Sequence, residues 1–149
     1  MNKKVLFEGL DGKLNVMIPC ECGLTLHQII LKDLPRKSNN DLVNYKIVDD
    51  LNIDTDFFDA YVFDLNEGSK FVPELAKEIW KNKWRVAREA LFPSLDKEFI
   101  IALENNNEQE KNKIVETKKA LRDITKIEIL GNTPEEIKSV WPSILGPKL

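Results

Sequence analysis

Cys20, Cys22 and His27 are the soft-ligand and nucleophile candidates in a chain of 149 residues that has only two cysteines and one histidine. A structural zinc site takes four ligands, usually from two separated pairs, and no second pair exists. A Cys-His or Ser-His-Asp device would have to be built around His27, because a nucleophile needs a base within hydrogen-bond reach. No nucleophile elbow or oxyanion loop accompanies it. The cluster reads as two small half-buried thiols and an exposed helix histidine. Asp50, Asn52, Asp54 and Asp56 have the spacing of a calcium loop's early oxygen ligands. Thr55 stands where such a loop needs glycine, and Tyr61 where it needs the bidentate glutamate. That leaves a solvated turn whose Asp and Asn side chains bond to nearby N–H groups. It also leaves an acidic docking surface, since Asp49, Asp50, Asp54, Asp56, Asp59 and Asp64 lie in a stretch with no basic residue before Lys70.

A third constellation is basic and aromatic. Lys77, Lys81, Arg85 and Arg88 follow the helical period of Trp80 and Trp84, rotated by one position. Such a line offers stacking plus phosphate attraction for nucleic acid, or a core-facing aromatic stripe with a solvated flank. It also offers anchors for a protein partner, because Trp and Arg combine contact area with a directional polar group. The glycines at 9, 12, 23, 68, 131 and 146 are isolated turn markers, so no loop cradles a nucleotide phosphate. No catalytic residue, metal ligand or cofactor site is assigned.

Composition narrows the field further. With 42% hydrophobic and 32% charged residues the chain is globular, and at this length it can build a core without staples. The longest uncharged run, Cys22 to Leu31, is far short of the roughly 20 apolar residues that span a bilayer. Lys3 and Lys4 precede only a short alternating segment broken by Glu8 and Asp11, unlike a secretory leader, so a cytoplasmic chain is expected. Residues 1–71 carry 8 basic and 12 acidic side chains, and residues 72–149 carry 14 and 13. Neither half has the clustered cationic excess of a general nucleic-acid binder.

The elements expected to position these residues change period near Phe71. Val5 and Phe7, then Leu14, Val16 and Ile18, alternate as two strands around the Gly9–Gly12 link. Thr25 and Gln28 form a capping box before a helix over 26–34, stopped by Pro35 and followed by a loop over 36–41. Tyr45 to Val48 reads as a third strand, and Ala60 to Phe63 as a last strand or buried turn. Beyond Pro73, the residues Ala76, Trp80, Trp84, Ala87 and Leu91 recur at helical spacing until Pro93 interrupts. Leu95, Phe99, Ala102 and Leu103 continue in a second helix that ends at Asn105–Asn107. Ile114, Thr117, Leu121 and Ile124 line a third helix from about Glu108, making an αα-hairpin with the second. Thr133 and Pro134 open a short last helix reaching Trp141. The expected fold class is α+β: a small β-rich lobe with one short helix over 1–71, then a helical arm or hairpin over 72–149.

Three blocks in this order resemble the small tail-associated proteins of tailed bacteriophages, among them the tail fibre assembly proteins. The first is Tyr45-Lys46-Ile47-Val48-Asp49-Asp50 with Asp56-Phe57-Phe58-Asp59-Ala60-Tyr61. The second runs from Lys77 through Trp84-Arg85, Arg88, Leu91, Leu95-Asp96 and Phe99 to Ala102-Leu103-Glu104. The third is Lys118-Lys119-Ala120-Leu121-Arg122-Asp123-Ile124, followed by Thr133-Pro134-Glu135-Glu136-Ile137-Lys138 and Trp141-Pro142. Lys119 stands where the family pattern has glutamine, and the opening hairpin matches less clearly. The resemblance implies a non-enzymatic protein of the host cytoplasm during assembly, or one retained on the virion tail. Its partner would be a tail fibre or baseplate component, with no cofactor and no membrane. Trp80, Trp84, Arg85, Arg88, Arg122 and Trp141 are the expected partner-binding residues. The alternative is a nucleic-acid-binding regulator using the basic stripe of the long helix.

Overall fold

The computed structural model describes residues 2–148, and the fold is α+β. The chain divides into two compact units, Met1–Leu75 and Ala76–Leu149.

The first unit is built on a three-stranded antiparallel sheet in which β1 (Lys4–Glu8) lies between β2 (Leu14–Met17) and β3 (Tyr45–Val48). The β1–β2 link closes through Gly12 at φ +77°, the left-handed region that glycine enters without steric cost. Leu6 pairs with Val16 and Val5 with Met17, so neighbouring residues of β1 face opposite sides. Both sides are covered. Val5 packs with Ile30, Leu34 and Val43, placing helix α1 (Leu26–Asp33) on one face. The capping box at its start is present in full: the Thr25 hydroxyl accepts from the Gln28 N–H, and Gln28 Oε1 accepts from the Thr25 N–H at 2.8 Å. The other face meets a second hairpin, β4 (Tyr61–Asp64) and β5 (Gly68–Phe71), because an added Cβ on Gly68 would lie 2.8 Å from Leu6 Cδ1 and 3.3 Å from Val48 Cγ1. Phe57 and Ala60, in a 3-10 turn over Thr55–Ala60, are fully buried, and the Phe71 ring stands 5.2 Å from Tyr61 and 6.2 Å from Phe57.

Several expectations change here. Ile18 is not the third inward residue of a strand: β2 ends at Met17 before Pro19, and Ile18 is 71% exposed. β5 has no counterpart in the alternation, because its four residues, Gly-Ser-Lys-Phe, offer only one apolar side chain. The loop after Pro35 turns back tightly, with Lys37 N–H donating to Asp41 O at 2.7 Å and Asn40 in the left-handed region.

The second unit is helical, and α2 (Pro73–Glu89) enters it from the first. Ala76, Trp80, Trp84 and Ala87 are its buried stripe. α3 (Phe92–Glu104) begins after a two-residue break at Ala90 and Leu91, with Pro93 in its first turn, where the missing N–H is no loss. Asn106 in the left-handed region and the Asn107 side chain, which accepts from Glu110 N–H at 3.1 Å, turn the chain into α4 (Glu108–Arg122). α3 and α4 form the expected hairpin, joined by a Lys118–Asp96 ion pair. Ile124 falls in a 3-10 turn rather than in α4. α5 (Pro134–Ser139) is capped by Thr133 and stops two residues short of Trp141. Trp141 precedes Pro142, and a residue before proline is pushed out of helical geometry.

Candidate protein-binding surface

The long helix divides its aromatic and basic residues between two jobs. Trp84 is completely buried, and its Nε1–H has no hydrogen-bond partner among the described residues. It is a core residue that presents no surface, contrary to the expectation that it contacts a partner. Arg88 is also inward. Its guanidinium donates to Leu121 O at 3.4 Å and Arg122 O at 3.1 Å, the terminal carbonyls of α4, while Glu89 lies 3.5 Å from its Nε. A cation there satisfies carbonyls that have no partner within the helix and complements the negative end of the helix dipole. Arg85 is held along its own helix, by Glu78 Oε1 at 2.7 Å and by Asn82. Arg85 and Arg88 of the basic stripe are therefore engaged within the unit.

Trp80 and Trp141 come together where the sequence gives no reason to join them. Trp80 Nε1–H donates to Val140 O at 2.8 Å, Trp141 Nε1–H donates to Gly146 O at 2.8 Å, and the two rings meet edge to face at 5.7 Å. These bonds fix the segment after α5 against α2. Beside the pair lies an apolar groove of about 430 Å³ lined by Ile79, Trp80, Asn82, Lys83, Val86 and Trp141. The Lys83 ammonium sits 5.3 Å from the Trp80 ring centroid, a cation–π distance. Val86 is 65% exposed. Ile79 and Val86, seven residues apart and flanking Lys83 at four and three, form a second apolar line on α2 that the tryptophan stripe obscured. Arg122 is exposed, its guanidinium 5.9 Å from the Phe92 ring.

The other constellations of the sequence are placed as follows. Cys20 and Cys22 are exposed, not half-buried as expected. Their thiols hydrogen-bond to each other, which holds Cys20 above and Cys22 below the ordinary thiol value; the Leu24 N–H adds to the lowering of Cys22. His27 is exposed at the second position of α1. Asp54 caps the 3-10 turn by accepting from Asp56 N–H at 3.0 Å, and its own N–H donates to the Tyr61 hydroxyl. Asp64 accepts from Asn66 N–H and Glu67 N–H and is lowered by both. Among the described residues no three His, Cys, Asp or Glu side chains are grouped to hold a metal ion, and no helix is long and apolar enough to cross a membrane. A cleft of about 580 Å³ in the first unit is lined by Asp11, Lys13, Asn15, Asp59 and Tyr61 among others, and neither a cysteine nor the histidine reaches it. Comparison with family models, curated proteins and solved structures finds no match to this chain.

Proposed function

We propose that this chain is a non-enzymatic accessory protein of a phage tail that binds another protein, a tail fibre or baseplate component, through its helical unit. The observation that carries the reading is the groove beside Trp80 and Trp141, an open apolar concavity between α2 and the segment after α5. Open apolar concavities rimmed by polar side chains serve as contact sites for other molecules. The contact residues of the groove are then Trp80, Val86 and Trp141, with Arg122 exposed elsewhere in the same unit. Trp84, Arg85 and Arg88 position them: Trp84 from the core, Arg85 along α2, and Arg88 through the end of α4. The nucleic-acid alternative loses two cations of its stripe to these intrachain bonds.

The test is co-expression with a long tail fibre protein, comparing wild type with Val86→Asp plus Lys83→Glu. Both positions are exposed, and unchanged far-ultraviolet circular dichroism checks that the variant folds. The expected outcome is a several-fold loss of soluble fibre trimer with the variant. An unchanged trimer yield, or activity of wild type on no fibre at all, refutes the reading.

A further inference from the structure

The outer end of the α3–α4 hairpin carries a second contact face with a different character. Phe99-Ile100-Ile101-Ala102-Leu103 is apolar on every side of α3, the pattern of a helix enclosed all round. Yet between residues 96 and 113 only Ala102 is buried, and Ile100 and Leu103 are 54% and 51% exposed. Here the hairpin is two helices thick, and a helix pair buries its apolar residues fully only against a further layer.

Two stripes share one side of this hairpin. Asp96, Phe99, Ile100 and Leu103 recur at helical spacing on α3, and Val115, Lys118, Lys119 and Arg122 do so on α4. The Lys118–Asp96 ion pair, Lys118 at 5.7 Å over Phe99, and Arg122 over Phe92 bring the stripes together. Half-exposed Val115 continues the apolar surface onto α4. On that side of α4 lie three cations, Lys118, Lys119 and Arg122, of which Lys118 is paired with Asp96. Neither Lys119 nor Arg122 has a carboxylate within ion-pair distance among the described residues; Asp123, the acid that feels the Lys119 charge, is held by Lys126 at 2.8 Å.

We infer that this face receives an amphipathic helix of a partner protein that sets aliphatic anchors against Phe99, Ile100, Leu103 and Val115 and carboxylates against Lys119 and Arg122. The inference rests on the protein-binding reading above and names the partner's chemistry. Ridges of a third helix fill the furrow between two antiparallel ones, and Lys119 with Arg122, two cations outside ion-pair contact on that side, select an acidic edge. A second copy of this chain is a poor occupant, because its equivalent stripe offers one carboxylate, Asp96, already tied to Lys118.

The full chain is titrated with two fluorescent amphipathic peptides of about 18 residues, long enough for five helical turns. They share one leucine stripe and carry either glutamate or lysine at the flanking positions. The acidic peptide should bind at least about tenfold more tightly than the basic one and weaken several-fold between roughly 50 and 500 mM salt. Ile100→Asp with Leu103→Asp should abolish binding while far-ultraviolet circular dichroism stays unchanged, and Lys119→Glu with Arg122→Glu should invert the preference. Equal affinity for both peptides, no binding of either, or binding untouched by the double aspartate variant overturns the inference. So does stronger capture by phosphatidylglycerol vesicles or single-stranded DNA, or a wild-type dimer that the same variant dissociates. Failure of the wild-type chain to raise soluble fibre, with acidic-helix binding intact, removes the tail role alone; fibre rescue without acidic-helix binding removes this face alone.

Discussion

The two units expose large aliphatic side chains on different kinds of backbone. In the first unit the most open ones sit at turns or strand ends: Leu10 in the β1–β2 link, Ile18 beyond β2, and Leu65 between β4 and β5. Scattered apolar residues of that kind are ordinary on a soluble surface. In the second unit Leu130, 72% exposed, also lies outside the helices, but Val86, Ile100, Leu103 and Val115 lie on regular helix, Ile100 and Leu103 side by side on α3. The first unit closes its sheet on both sides, whereas the second leaves helix faces uncovered. Contact function is accordingly placed in the second.

The interiors differ as well, and the largest expected effect tests that difference. All three tryptophans, 80, 84 and 141, belong to the second unit, so indole fluorescence during denaturant unfolding reports on that unit alone. Trp84→Ala empties its centre and should cost about 3–5 kcal/mol, the range for truncating a buried large aromatic. Trp84→Phe should cost much less, because the phenyl ring refills most of the space that alanine leaves empty, while both substitutions remove the unpartnered buried N–H. Equal losses in the two variants would mean that the ring volume is not what fills this centre and that the core is differently built.

Gly68→Ala is the matching probe of the first unit. The residue sits at φ +88°, and its added methyl would press on Leu6 and Val48 of the sheet beneath. Backbone strain of about 1–3 kcal/mol and overpacking of similar size should together destabilise by about 2–6 kcal/mol. Circular dichroism should register the loss while the tryptophan transition of the second unit sets the reference. An unchanged midpoint would show that β4–β5 is not seated on the sheet.

Next in size is Arg88→Ala, expected to cost about 1.5–3 kcal/mol because it deletes charged hydrogen bonds to two helix-terminal carbonyls. Arg85→Ala, at a half-exposed site bonded only to its own helix, should change stability by less than about 1 kcal/mol. Their order under fluorescence-monitored urea unfolding separates the inward cation from the outward one.

Much of this architecture is legible from local chemistry. Thr25 with Gln28, Pro73, Asn107 and Thr133 with Pro134 each mark a helix start by a mechanism confined to a few neighbouring residues. The alternation in β1 was harder to use, since Val5 and Leu6 are both buried between two covering layers. β5 is held by its pairing with β4 and by the space over Leu6, neither of which leaves a periodic trace. Its only local signal is the Asp64-Leu65-Asn66-Glu67-Gly68 turn. The groove was invisible for a related reason: Trp80 and Trp141 are 61 positions apart and meet through bonds to main-chain carbonyls. The aromatic stripe of α2 marked residues of high packing value without telling core from surface, and Trp84 fell on the core side.

The smallest effect compares the units through one carboxylate in each. Asp64 and Asp123 are both held below the ordinary carboxylate value, but by different partners: Asp64 by the N–H groups of Glu67 and Asn66, Asp123 by the Lys126 ammonium at 2.8 Å. A depressed folded-state pKa means that the unfolded chain takes up its proton first as pH falls. The stabilisation is therefore complete above the unfolded value near 3.9, and is lost as pH drops through the folded one. Amide-proton shifts of Asn66 and Glu67 should titrate with a midpoint below that ordinary value, and Asp64→Asn should abolish the titration. High salt should raise the Asp123 midpoint, because an exposed ion pair is screened, and leave Asp64 nearly where it was, because short hydrogen bonds to backbone N–H are not. If both midpoints move together with salt, the β4–β5 turn is held by the neighbouring Lys70 and Lys46 charges instead of its backbone, and the contrast between a turn-locked first unit and an ion-paired second one fails.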